Sequence, residues 1–149
     1  MELRTPTPLQ SEHQALFAEI SAAARYDGRT GKAARLVARL LERHFALEDE
    51  FVFPPLGLLP ALAQGTIEPE MAAALVMTNR LNDELPNLIA VQRVIIAALE
   101  ELMTVAEEEG HAELVGFAEN MMLHEEMERD VSYPTAILIG KYLQLLLKA

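Results

Sequence analysis

Residues 41–54 read Leu41-Glu42-Arg43-His44-Phe45-Ala46-Leu47-Glu48-Asp49-Glu50-Phe51-Val52-Phe53-Pro54, and residues 121–134 read Met121-Met122-Leu123-His124-Glu125-Glu126-Met127-Glu128-Arg129-Asp130-Val131-Ser132-Tyr133-Pro134. A shift of 80 superposes His44 on His124, Glu48 on Glu128, Phe53 on Tyr133 and Pro54 on Pro134, and the match extends back to Val37 and Phe117. Both stretches carry H-x-x-x-E on a three- and four-residue apolar rhythm and end in proline, so each reads as a helix of one repeated unit. A shift of 72 pairs Leu9, Glu12, Leu16 and Phe17 with Leu81, Glu84, Leu88 and Ile89. Two related helical hairpins follow.

Outward from these helices the chain stays helical. A first helix is expected from Pro8, capped by Thr7, to about Ala24, where Tyr26-Asp27-Gly28-Arg29-Thr30-Gly31 forms a turn. The second helix runs to about Phe53 and stops at Pro54-Pro55, which remove two backbone donors. A short apolar segment, Leu56 to Ala63, precedes Glu68-Pro69-Glu70, which opens a third helix to about Glu108 with a kink at Pro86. Gly110 breaks the chain before a fourth helix, His111 to Asp130, and Pro134 separates that from a last apolar helix. With no stretch alternating in Val, Ile and Thr, residues 1–149 read as one all-α domain, a four-helix bundle with an added C-terminal helix. The apolar residues of that last helix, Ile137, Ile139, Tyr142, Leu143, Leu145, Leu146 and Leu147, spread over more than one face, so it either seals the bundle or pairs two chains into a homodimer.

Just over half of the 149 residues are apolar and 23% are charged, outside the range that stays disordered. Twelve Lys+Arg against 23 Asp+Glu leave a formal charge of −11, which repels phosphate backbones and anionic lipid, so neither nucleic acid nor membrane is an expected partner. The absence of Cys excludes disulfides, thiolate metal sites and a Cys nucleophile. Together with a start, Met1-Glu2-Leu3-Arg4-Thr5-Pro6, that lacks the pattern of a secretory signal, it suits a cytoplasmic protein.

Four residues advance a helix by about 400°, so His44 and Glu48 share one face, as do His124 and Glu128. In the second helix that face is the stripe Val37, Leu41, His44, Glu48, Phe51; in the fourth it is Leu114, Phe117, Met121, His124, Glu128, Val131. His13 interrupts the core stripe of the first helix, between Leu9 and Leu16, Phe17 and Ile20. Singly, each is an ordinary core histidine or an i,i+4 pair. Together they bring two carboxylates and three imidazoles to the interior of one bundle, where ionised carboxylates cost several kcal/mol unless compensated. A cation is the economical compensation, and this donor set suits Fe, Mn or Zn, with the carboxylates able to bridge two ions. His111, beside Gly110 at a polar helix start, stands outside this set.

On His13, on His44 and Glu48 followed by Phe53-Pro54, and on His124 and Glu128 followed by Tyr133-Pro134, the chain resembles the hemerythrin-like, HHE cation-binding family over roughly residues 8–135. The resemblance implies an up-and-down four-helix bundle holding two non-haem irons joined by two bridging carboxylates. His13 and His44 then resemble ligands of one iron, His124 a ligand of the other, and Glu48 and Glu128 the bridges. The family's third helix supplies at least one His, whereas the shift of 72 sets Leu85 at that place, and no His lies between His44 and His111.

A half-site follows from Leu85, with one metal kept at His13, His44, Glu48 and Glu128. Reversible oxygen binding in the family draws one electron from each of two ferrous ions, so the expectation is a one-iron bundle that senses or binds a small ligand such as O2 or NO, or handles metal. Two alternatives stay open: a metal-free interaction scaffold, and a di-iron oxidoreductase.

Overall fold

The computed structural model describes residues 2–148; Met1 and Ala149, the ends of the expected 1–149 domain, lie outside them. The described residues are mostly helical, with no strand. Six α-helices appear in chain order: α1 (Thr7–Ala23), α2 (Gly28–Leu47), the short α3 (Leu59–Ala63), α4 (Ala74–Glu109), α5 (Ala112–Met127) and α6 (Tyr133–Leu147).

α1 packs on α2, α2 on α4, and α4 on both α5 and α6. Neighbours run antiparallel. Along α2 and the turn after it, Thr30 contacts Val105 while Glu50 pairs with Arg80, so α4 descends as α2 rises. Four residues link α1 to α2, and Gly110 with His111 links α4 to α5. Gly110 closes α4 with a φ of 81°, a left-handed conformation that glycine adopts without a Cβ clash. The start of α2 has no side-chain cap of its own; Glu109 reaches across from α4, accepting from the Thr30 backbone N–H at 2.7 Å and from the Thr30 hydroxyl.

Several boundaries differ from the sequence expectation. Thr7 is the first residue of α1, not its cap; Pro6 holds the cap position and Pro8 the second helical position, where a missing N–H costs nothing. The third helix is entered through a 3₁₀ turn, Pro69–Ala73, and α4 then passes Pro86 as one uninterrupted helix. The last helix is not separated at Pro134. α5 flows through a π-helical turn, Glu128–Ser132, into α6, with Pro134 inside the first turn of α6.

The same π turn stands after α2, at Glu48–Val52, followed by a 3₁₀ turn over Pro54–Leu58. The two π turns are 80 residues apart, at matching places of the repeat. Each proline lacks the N–H that would bond the carbonyl four residues back, so the ladder widens by one residue and the preceding N–H reaches five back: Phe53 to Glu48, and Tyr133 to Glu128.

The core divides in two. One apolar cluster joins Ile20 and Ala23 to Ala34, Val37, Leu41 and Phe45, to Ile95 to Ala106 of α4, and to Leu114, Phe117 and Met121. The other gathers Phe51, Phe53, Met71, Leu81, Leu88, Tyr133, Ile139 and Leu143. α6 seals this second cluster with Tyr133, Ala136, Ile139, Gly140 and Leu143, and leaves Leu138, Tyr142, Leu145 and Leu146 exposed. Between the two clusters lies a layer of polar side chains.

Candidate metal centre

Every long helix of the bundle sends a polar group into this layer. α1 contributes His13; α2 and its π turn contribute His44 and Glu48; α4 contributes Gln92; α5 and its π turn contribute His124, Glu125 and Glu128; Tyr133 opens α6. Glu48 is 0% exposed, His44, Glu125 and Glu128 each 1%, Gln92 3% and His13 4%, so the layer is interior. The π turns complete it. Five residues along an α-helix turn about 500°, which would leave Tyr133 about 140° away from Glu128. The widened turn stacks Tyr133 over Glu128 instead, and the phenol donates to Glu48 Oε2 at 2.8 Å.

The donor atoms form two groups. In the first, His13 Nε2 and His124 Nε2 stand 3.3 Å apart, with Glu128 Oε2 at 3.5 and 3.0 Å from them and Glu48 Oε1 at 3.8 Å from His13. In the second, His44 Nε2 lies 3.4 Å from Glu125 Oε2, 3.4 Å from Glu128 Oε1 and 3.5 Å from Glu48 Oε2. Glu48 and Glu128 therefore each turn one carboxylate oxygen to each group.

Most of these separations are long for N–H···O hydrogen bonds, whose usual range is about 2.7–3.2 Å. Two atoms bound to one ion at about 2.0–2.1 Å sit about 2.8–3.4 Å apart in octahedral or tetrahedral arrangement, close to most of the spacings within each group. All three imidazoles direct Nε2 inward, and His124 is oriented from behind by Glu12, whose Oε1 accepts from Nδ1 at 2.7 Å. A carboxylate on the far nitrogen of an inward-facing His is the usual support of a metal ligand. Within the first group, the buried Glu48 Oε1 has no hydrogen-bond partner. The residues fit a cation.

The electrostatics carry the same strain. Burial, then the neighbouring Glu128, pushes the Glu48 carboxyl well above the usual carboxylate range. Burial also raises Glu125, against the pull of His44. Burial pushes on Glu128 as well, but His124, His13 and His44 outweigh it and hold that carboxyl well below its usual range. Burial disfavours the charged forms of His44 and His124, yet Glu125 and Glu128 at the former, and Glu128 and Glu12 at the latter, raise both to about 9. Three carboxylates share one dry layer, where burial works against the charge of each.

All five residues expected as ligands, His13, His44, Glu48, His124 and Glu128, come together here. Their grouping differs from the expectation, because His13 faces His124 while His44 faces Glu125. Leu85 is not the α4 residue at this level; it packs into the second apolar cluster, and Gln92 takes the place, its amide donating to Glu125 Oε2 at 2.8 Å and to the Glu125 carbonyl at 3.1 Å. A shift of 79 sets His13 on Gln92, Leu9 on Leu88, Leu16 on Ile95 and Ile20 on Leu99, one heptad from the shift of 72. Sliding by seven residues keeps an apolar stripe in step, so the apolar pattern alone does not distinguish the two registers. Glu125 did leave a signal: the repeat pairs it with the core residue Phe45, and it lies four residues after Met121 on the buried stripe.

No protein-family model, curated protein or solved structure matches the chain.

Proposed function

We propose that the chain is a hemerythrin-like metal-binding bundle whose polar layer takes two non-haem ions, iron foremost, and serves to bind or sense a small ligand or to handle metal. The observation that carries this reading is the division of Glu48 and Glu128, each with one oxygen at either histidine group. Carboxylates so divided are the bridging element of a dinuclear centre. Glu125 supplies a donor at the His44 group, so the apolar Leu85 no longer argues for a half-site. Bound there, a pair of such ions would supply Lewis acidity and, for iron, electron exchange with a ligand.

The chain's own residues hold and shield the centre. Gln92 and Tyr133 fix the carboxylates by donation, Glu12 fixes the His124 ring, and the two apolar clusters exclude water from above and below. A groove of about 250 Å³ between α1 and α2, lined among others by Gln10, Gln14, Phe17 and Phe45, ends on His13. That volume suits a small ligand rather than a bulky substrate.

Metal content decides the matter. Protein loaded anaerobically with ferrous iron and desalted is expected to retain two ions per chain by mass spectrometry, and the double variant His44→Ala/His124→Ala to retain none while keeping its helical circular dichroism. A wild-type ratio near one would restore the half-site. A ratio near zero would leave a metal-free scaffold.

A further inference from the structure

The two donor groups are chemically unequal. The first sets the imidazoles of His13 and His124 beside one oxygen each of Glu48 and Glu128. The second sets the single imidazole of His44 among three carboxylate oxygens, from Glu48, Glu125 and Glu128, with the Tyr133 hydroxyl 3.2 Å from His44 Nε2. Their surroundings sharpen the difference. Behind the first group, Glu12 raises the basicity of the His124 imidazole and so strengthens a nitrogen donor. Around the second, Gln92 and Tyr133 donate to carboxylate oxygens and hold the oxygen donors in place.

Imidazole suits zinc and ferrous ions, whereas carboxylate-rich sets suit harder ions such as manganous. Resting on the two-ion reading above, we propose that the layer is a mixed-metal site: the His13/His124 end takes a borderline ion of the zinc or ferrous kind, and the His44/Glu125 end takes a hard divalent ion of the manganous kind. Glu125 is the residue that makes the second end oxygen-rich. Zinc outranks manganese at nearly any site, so the selectivity shows in the order of filling rather than under excess zinc.

The test uses the full chain stripped with chelator, given one equivalent of Zn2+, then Mn2+, and desalted. One zinc and one manganese per chain are expected, with the paramagnetic resonance of an isolated Mn2+ rather than of a coupled pair. Glu125→Gln is expected to weaken manganese retention at least about tenfold while zinc stays, and His124→Gln, given Mn2+ without zinc, to keep one manganese per chain. Circular dichroism of both variants checks the fold, and the wild-type resonance stands without either variant. Displacement of zinc by manganese, a coupled manganese pair, or equal loss of both metals in Glu125→Gln would overturn the mixed-metal assignment and leave the two-ion reading standing. Retention of neither metal by the wild type would overturn both.

Discussion

At the scale of single residues, Gln92 is the group whose removal separates structure from metal. Its amide donates to Glu125 Oε2 and to the Glu125 carbonyl in the dry layer. Gln92→Leu strands that carboxyl, and a cost of about 1–3 kcal/mol is expected in urea unfolding of the chelator-treated protein. Gln92→His puts a ligand-competent imidazole at the same level and should raise metal affinity above that of Gln92→Leu in a chelator competition. The five residues of the polar layer His13, His44, Glu48, His124 and Glu128 are legible in the sequence because a His or Glu on an apolar stripe breaks a pattern that is otherwise easy to read. Gln92 is not, because a neutral amide on a stripe carries no charge to flag it and the heptad rhythm allows another register. The grouping of His13 with His124 rests on helix rotation and spacing in three dimensions, which a one-chain pattern does not encode.

Among the elements, the four long helices and their turns were readable from apolar periodicity, Gly110 and the prolines, while the π turns were not. In sequence proline reads as a stop, yet at Pro134 the ladder widens and the helix continues. Pro134→Ala restores an N–H in reach of the Asp130 carbonyl and favours relaxation of the π turn into α geometry. Tyr133 then rotates away from Glu48, so metal affinity is expected to fall about tenfold or more with helix content unchanged by circular dichroism. The contact of α6 with α4 is set by Gly140, where a Cβ would run into the Thr78 side chain. Gly140→Ala is expected to lower stability by about 1–3 kcal/mol in thermal or urea unfolding, and Gly140→Ala/Thr78→Ala, which removes the hydroxyl nearest the new Cβ, to recover part of that loss.

For the whole molecule, the layer makes stability depend on pH with a definite sign. Burial pushes the His44 and His124 values down, but the carboxylates around them win and lift both from 6.5 to about 9. Folded protein therefore binds these protons more tightly than unfolded chain. The stabilisation is complete below pH 6.5 and lost as pH rises through 9. Glu48, raised by burial and by Glu128, acts in the same direction. Metal-free protein should show a falling melting temperature from pH 6.5 to 9. Metal-loaded protein should not, because ligation needs unprotonated imidazole and strengthens as protons leave.

The polar layer that divides the two apolar clusters also bears on how cooperatively the molecule unfolds. The cluster around Phe51, Leu81, Tyr133 and Leu143 meets its counterpart at the polar layer, where His13 lies between Phe45 of one and Phe53 of the other. Without a cation, little apolar contact transmits stability from one to the other, and the end holding α6 is free to open as a unit of its own. Amide exchange in α6 should then outpace exchange in the Ile95 to Ala106 stretch of α4, and metal should bring the two together. The ions would thus act as a rivet that turns two folding units into one.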